Sequence, residues 1–308
     1  MKYWEHEMGD CRARRWNLYL ITDLHWTITK HSMAYEAWRE YRRRAISDPF
    51  GIYLCLGDMM EAFRRHVTND IKRALVTEEE SLEQDEMYKL QVRHFIETEL
   101  AAFPRSRWIG AVDSNHQYVF SDGSTATQYM CQEMGIPYLG EEGNIWLVWR
   151  SPCNKDKTRY SVGIVAKHSM GNGKLASIFN NMQKDVLPKY PESRIIACGH
   201  IHANGNTWDE AYFKLGAAKH LFRTKRVYLV ASSWQVHGSL ESGYIPEKNK
   251  VLKKELVSYA ESKNFHNNGT GGQIITIDVG QHRHSELGRD ASRHAKLVNE
   301  VRLGVISV

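Results

Sequence analysis

No Cys-x-x-Cys pair occurs in this sequence. Its five cysteines (Cys11, Cys55, Cys131, Cys153, Cys198) are scattered, which argues against both a disulfide framework and a thiolate zinc site. Cys55 and Cys198 fall inside apolar runs, where small buried hydrophobes are expected. Proline is scarce, 7 of 308 residues, and charged residues make up only 25%, so the composition is that of a folded and not a disordered chain. No apolar run is long enough to span a bilayer, and no membrane partner is expected. The opening residues Met1 to Glu7 lack the apolar core of a secretion signal, so the expected compartment is a reducing cytoplasm. A strong excess of one charge is missing too. The 41 basic and 36 acidic residues leave +5, too mild by itself to mark a nucleic-acid binder.

What the sequence does contain is a series of short apolar runs, several of which end in a polar cluster. Asn17 to Thr22 ends at Asp23, Ile52 to Leu56 at Gly57-Asp58, and Trp108 to Val112 at Asp113-Ser114-Asn115-His116. Tyr160 to Ala166 ends at Lys167-His168, and Ile195 to Cys198 at Gly199-His200. Runs of this length and composition predict buried strands, with further ones at Ile145 to Trp149, Val227 to Ala231 and Gln273 to Ile277. Helical patterns lie between them, at Met33 to Ile46, Asp70 to Phe103, Thr125 to Met134 and Lys174 to Leu187. The alternation predicts an α/β fold with one domain over residues 1–280 and a solvated tail over 281–308. Within that domain the 70–103 stretch is a helical insertion that either caps the molecule or covers a sheet.

The polar clusters carry metal-ligand residue types. Carboxylates (Asp23, Asp58), an amide (Asn115) and imidazoles (His25, His168, His200, His202) form a mixed donor set suited to manganese, iron, zinc, cobalt or nickel. The carboxyl ends of strands in open α/β sheets are where such sites assemble. Extended backbone would place Asp23 with His25, and His200 with His202, on a common face, since positions i and i+2 point the same way. Each cluster alone is a weak signal. Their joint occurrence, each after an apolar run, is a strong one.

The order Asp-x-His, Gly-Asp-x-x-Glu, Asn-His, a single His and Gly-His-x-His resembles the calcineurin-like metallophosphoesterase superfamily. The matching residues are Asp23/His25, Gly57/Asp58/Glu61, Asn115/His116, His168 and Gly199/His200/His202. The likeness covers about Asn17 to Ile277. Two positions depart from the pattern: Ser114 stands where the family has glycine, and Gln117 where it has an acid. The resemblance implies a four-layer α/β/β/α sandwich of two mixed sheets flanked by helices. It also implies two divalent ions, manganese foremost with iron, zinc, nickel, cobalt or magnesium as alternatives, bridged by Asp58. Asp23, His25 and His202 would hold one ion, and Asn115, His168 and His200 the other. A hydroxide between the ions would attack phosphorus in line.

Three further residues are assigned to catalysis. His116 is expected to protonate or steady the leaving oxygen. Glu61 is its expected carboxylate partner, or else a solvated acid in a first helical turn, and Asp113 is a second candidate partner. Basic and aromatic residues are interleaved at Arg12 to Trp16 and at Trp38 to Arg44, where they would either grip nucleic acid or form an amphipathic face. Ala62 replaces the arginine that phosphoprotein phosphatases of the superfamily carry after the second acid. The segment Ser232-Ser233-Trp234, with Tyr244, Tyr259-Ala260 and Gly271-Gly272, is similar to phage metallophosphoesterases of exonuclease type. The resulting expectation is a phosphodiesterase acting on DNA or nucleotides, with a phosphomonoesterase or cyclic-nucleotide phosphodiesterase as the alternative. A catalytically inactive scaffold of the same fold is the non-enzyme alternative.

Overall fold

A computed structural model describes residues 3–10, 15–26, 34–60, 78–115, 118–150, 159–171, 174–214, 221–231, 233–234, 271–283 and 297–307. They form an α/β architecture with two mixed sheets of six strands. One sheet runs, in spatial order, through β12 (Leu297–Ser307), β11 (Gln273–Arg283), β2 (Arg15–Ile21), β3 (Gly51–Cys55), β4 (Trp108–Val112) and β5 (Tyr138–Gly140). Strands β2 to β5 are parallel, and β11 is antiparallel to both its neighbours. The other sheet runs through β1 (Trp4–Asp10), β6 (Glu142–Arg150), β7 (Arg159–Lys167), β8 (Ser193–Cys198), β10 (Leu221–Val230) and β9 (Gly205–Lys214). There β7, β8 and β10 are parallel neighbours, β1 is parallel to β6, and β6 and β9 run antiparallel to β7 and β10.

Side-chain alternation explains why the central strands read as continuous apolar runs. Successive residues face opposite sides, and both sides are covered. Leu18, Leu20, Ile52 and Leu54 pack against Ile164, Ile195, Val227 and Leu229 of the other sheet. Their neighbours Tyr19, Ile21, Tyr53 and Cys55 turn outward into a second core with Trp38, Tyr41, Val92, Phe95, Met130 and Met134. Those residues belong to α1 (Tyr35–Ser47), α2 (Glu78–Phe95) and α3 (Ala126–Met134). On the far side Ile196, Cys198, Tyr228 and Val230 meet Ile178, Met182 and Val186, from α4 (Leu175–Asn181) and the π-helical turn after it. Three stacked cores of this kind are compatible with a sandwich.

The helices settle two expectations. On α1, Trp38 and Tyr41 are fully buried, while Arg39 and Arg43 pair with Glu36 at 3.2 Å and Glu40 at 2.6 Å, one helical turn back. The Trp38 to Arg44 stretch is therefore an amphipathic helix with its aromatics in the core. Arg15, in the other basic-aromatic stretch, is tied to Asp278 at 2.8 Å, and residues 11–14 lie outside the described residues. The 78–103 part of the expected helical insertion covers a sheet, with Tyr88, Val92, Phe95, Leu100 and Phe103 in the core beneath it. No helix among the described residues is long and apolar enough to cross a membrane.

One expectation needs correction. Residues 281–308 were expected as a tail beyond a domain ending at 280, but β11 runs on to Arg283 and β12 pairs with it along its whole length. Strands β1, β5, β9 and β12 have no counterpart among the expected runs. All four are sheet edges, where one side of the ladder meets no strand among the described residues.

Candidate metal centre

Five strand ends deliver the seven expected ligands. Asp23 and His25 follow β2, Asp58 follows β3, and Asn115 follows β4, all in one sheet. His168 follows β7, and His200 and His202 follow β8, in the other. The loops are laced by backbone hydrogen bonds. Asp23 N donates to Gly57 O at 3.1 Å, His25 N to Asp58 O at 3.0 Å and Gly199 N to His168 O at 3.0 Å. A third segment closes over them, with Trp234 N donating to Asp23 O at 3.1 Å and Ser233 Oγ to the same oxygen at 3.2 Å.

The backbone departs from the extended geometry expected at Asp-x-His and His-x-His. Asp23, His25, Asp58, His200 and His202 have φ of 48°, 45°, 47°, 75° and 52°, and among the described residues these are the non-glycine positions in the left-handed region. Asp and His tolerate this region better than most residues, yet each instance costs about 1–3 kcal/mol. Alternate left-handed residues, not a pleated strand, turn each pair inward.

The side chains converge in two groups. In the first, His202 Nε2 lies 3.3 Å and His25 Nε2 3.8 Å from Asp23 Oδ1. In the second, His168 Nε2 lies 3.1 Å from Asp58 Oδ2 and 3.0 Å from Asn115 Oδ1, and the His200 ring centre is 5.2 Å from that of His168. Asp58 joins them, because its Oδ2 is also 3.7 Å from His25 Nε2. The ligand atoms of Asp23, His25 and His202 lie within 4.8 Å of one another, as do those of Asp58, His168 and His200. Asp23, His25, Asp58, His168 and His202 are buried, His200 is half-buried, and Asn115 is exposed.

These residues fit divalent cations. Both oxygens of Asp58 and Oδ1 of Asp23 are buried without a hydrogen bond among the described residues. Burying two carboxylates in that state is costly, several kcal/mol per ion, unless positive charge lies between them. His168 Nδ1 is 2.7 Å from Leu56 O, and a carbonyl only accepts, so the ring carries its proton there. That tautomer leaves the Nε2 lone pair facing Asp58 and Asn115, both acceptors, an arrangement a cation completes.

Charge and burial oppose each other throughout. Burial alone would raise Asp23, but the neighbouring imidazoles of His202 and His25 and the charge of His168 hold it well below the usual carboxylate range. Asp58 is lowered in the same way, with His168 overcoming desolvation. Burial would lower His168, yet the Asp58 charge raises it above the ordinary value of 6.5. His200 is lowered, by burial and then by His168. Burial pushes the Cys55 thiol up to about 12 and raises Cys198 as well, so both behave as the buried hydrophobes expected.

The centre depends on two glycines. A side chain on Gly199, which follows β8, would begin 2.1 Å from Thr22 Oγ1 and 2.5 Å from Asp23 Oδ2, which follow β2 of the other sheet. One on Gly57, whose φ is +96°, would begin 2.7 Å from His168 Nδ1.

Glu61 and His116 lie outside the described residues, as do Ser232, Tyr244, Tyr259 and Ala260. Asp113 is described, and it was expected to serve an imidazole. Its oxygens accept from Thr125 Oγ1 at 2.9 Å and from the Tyr138 hydroxyl, while the imidazole it was expected to serve lies outside the described residues. Sequence reasoning missed Thr22, whose hydroxyl donates to Asp23 Oδ2 at 2.7 Å, and the Leu56 carbonyl behind His168. A backbone carbonyl leaves no signal in sequence, and a threonine beside an aspartate is too common to be one. Comparison with known protein families and with curated proteins finds no match.

Proposed function

We propose that this protein is a dinuclear-metal-dependent phosphodiesterase of the calcineurin-like metallophosphoesterase type, acting on DNA or nucleotides in a reducing cytoplasm. The observation that carries this reading is the pair of Asp/His groups joined through Asp58 at the strand ends of two sheets. Asp23, His25 and His202 would hold one ion, Asn115, His168 and His200 the other, with Asp58 shared and manganese the first candidate. When bound, such ions supply positive charge against phosphate oxygens and acidify water at neutral pH.

The remaining work falls to the chain itself. Leu56 O fixes the tautomer of His168 and so keeps its Nε2 lone pair turned inward. Thr22 Oγ1 and His200 N both donate to Asp23 Oδ2, at 2.7 and 2.8 Å, which leaves Oδ1 as the inward-facing oxygen. The half-buried His200 and exposed Asn115 define the side open to solvent, and therefore the side from which a phosphoester arrives. His116 follows Asn115 directly in the chain, and its imidazole is proposed to give a proton to the leaving oxygen.

Purified protein, stripped of metal and reloaded with Mn, Mg, Ni or Zn, tests the reading against bis(p-nitrophenyl) phosphate, p-nitrophenyl phosphate and labelled single- and double-stranded DNA. Metal-dependent diester and DNA cleavage is expected. Monoester cleavage alone would point to a phosphomonoesterase, and metal binding without any turnover to an inactive scaffold.

A further inference from the structure

The seven proposed ligands are not equally secured. Six are buried or half-buried in packed loops, whereas Asn115 is exposed, so packing does not hold it in place. Its carboxamide nevertheless sits 3.0 Å from His168 Nε2. Something else must fix the loop, and Asp113, two residues earlier, is tied down on every polar atom of known partner. Its N–H donates to Gly140 O at 2.8 Å, Oδ1 accepts from Thr125 Oγ1 at 2.9 Å, and Oδ2 accepts from the Tyr138 hydroxyl. Its carbonyl oxygen abuts Gly57, the residue before Asp58. Thr125 is itself fixed as the N-cap of α3, accepting from Gln128 N at 3.0 Å, so its single hydroxyl proton is committed to Asp113.

We propose that Asp113, held by Thr125 and Tyr138, is a positioning residue that sets Asn115 and thereby the affinity of the solvent-facing metal position. The inference rests on the metal pair of the proposed function, and it replaces the expected role of Asp113 as partner to His116. The clamp needs a carboxylate, because two hydroxyl donors converge on it. An amide there offers one acceptor oxygen, and its NH2 faces the second donor, so Asp113→Asn breaks at least one of the two bonds. Loss of such outer support lowers metal affinity by about 10–100-fold. The Asp23 carboxylate and carbonyl of the first group are anchored through Thr22 Oγ1, His200 N and Trp234 N, not through the Asp113 carboxylate or its two hydroxyl donors.

Manganese titration by calorimetry and by electron paramagnetic resonance, on the full chain, tests this. Wild type is expected to bind two ions. Asp113→Asn is expected to weaken one binding event about 10–100-fold while leaving the other unchanged. Tyr138→Phe, which touches neither cap nor ligands, should weaken the same event by a smaller factor, and Thr125→Ser, which keeps both hydroxyl bonds, should restore wild-type binding. Two ions bound by Asp113→Asn with wild-type affinity would overturn the inference. So would equal weakening of both events in Tyr138→Phe, which would mark a general structural role. Failure of wild type itself to bind two ions would instead overturn the metal pair on which the proposed function stands.

Discussion

Replacing Gly199 by alanine adds one methyl group where the loops after β8 and β2, from the two sheets, meet at the centre. That carbon would start 2.1 Å from Thr22 Oγ1, 2.5 Å from Asp23 Oδ2 and 3.1 Å from Thr22 Cβ. None of these atoms is the free end of a flexible chain. Thr22 and Asp23 are buried, and Asp23 is held by Trp234 N at its carbonyl and by His200 N at its carboxylate. Overpacking of this kind costs about 1–3 kcal/mol. Pushing the carboxylate away also sacrifices the Thr22 and His200 bonds to Asp23 Oδ2, and hydrogen bonds to charged groups contribute about 1.5–3 kcal/mol each. Losing one of them brings the total to about 2.5–6 kcal/mol, against a whole stability of about 5–15 kcal/mol. Urea unfolding with chelator present reads the stability, and manganese titration reads the site. Gly123→Ala is the control: its φ is +85°, but nothing lies within 4 Å of the added carbon, so only a backbone penalty of about 1–2 kcal/mol applies. If Gly199→Ala unfolds no more easily than Gly123→Ala and binds manganese like wild type, the close approach of the sheets, and with it the assembly of the centre, is wrong.

Three other outcomes follow from the same geometry. In metal-free protein, raised His168 adds stability that is fully present below its unfolded pKa of 6.5 and is lost as pH rises through its folded value; bound metal must displace that proton, whereas lowered His200 has none to lose. The gain in Tm on adding manganese should therefore be larger at pH 8 than at pH 5.5, and a gain that shrinks with pH would contradict the His168–Asp58 contact. Thr22→Val keeps the shape but removes the donor to Asp23 Oδ2, and manganese affinity is expected to fall about 10-fold with little change in secondary structure by circular dichroism. Asp58→Asn should abolish metal-dependent turnover, while His116→Ala should retain two ions and slow turnover; loss of metal in His116→Ala would exclude its proposed role in proton donation.

Local pattern was enough to locate the candidate ligands. Asp23, Asp58, Asn115, His168 and His200 each stand just beyond an apolar run, and an apolar run is a local property that reports a strand buried on both faces. The α3 boundaries were legible for the same reason: Thr125 caps one end, and Gly135, at φ 65°, ends the other. What depended on contacts between distant residues was not legible. The edge strands β1, β9 and β12 are defined by their partners rather than by their own composition, and so the sheet ran past the expected tail boundary.

The sequence by itself determined which donors are present and at which strand ends they sit, because residue type and hydrophobic run are both written in neighbouring positions. Only the tertiary structure decided how those donors turn toward one another and what Asp113 holds. The left-handed backbone at five candidate ligands is maintained by hydrogen bonds between loops far apart in the chain, and the Asp113 carboxylate takes its partners 12 and 25 residues away. No local pattern encodes either, since both follow from packing two sheets face to face, which brings the loops at one end of their strands together.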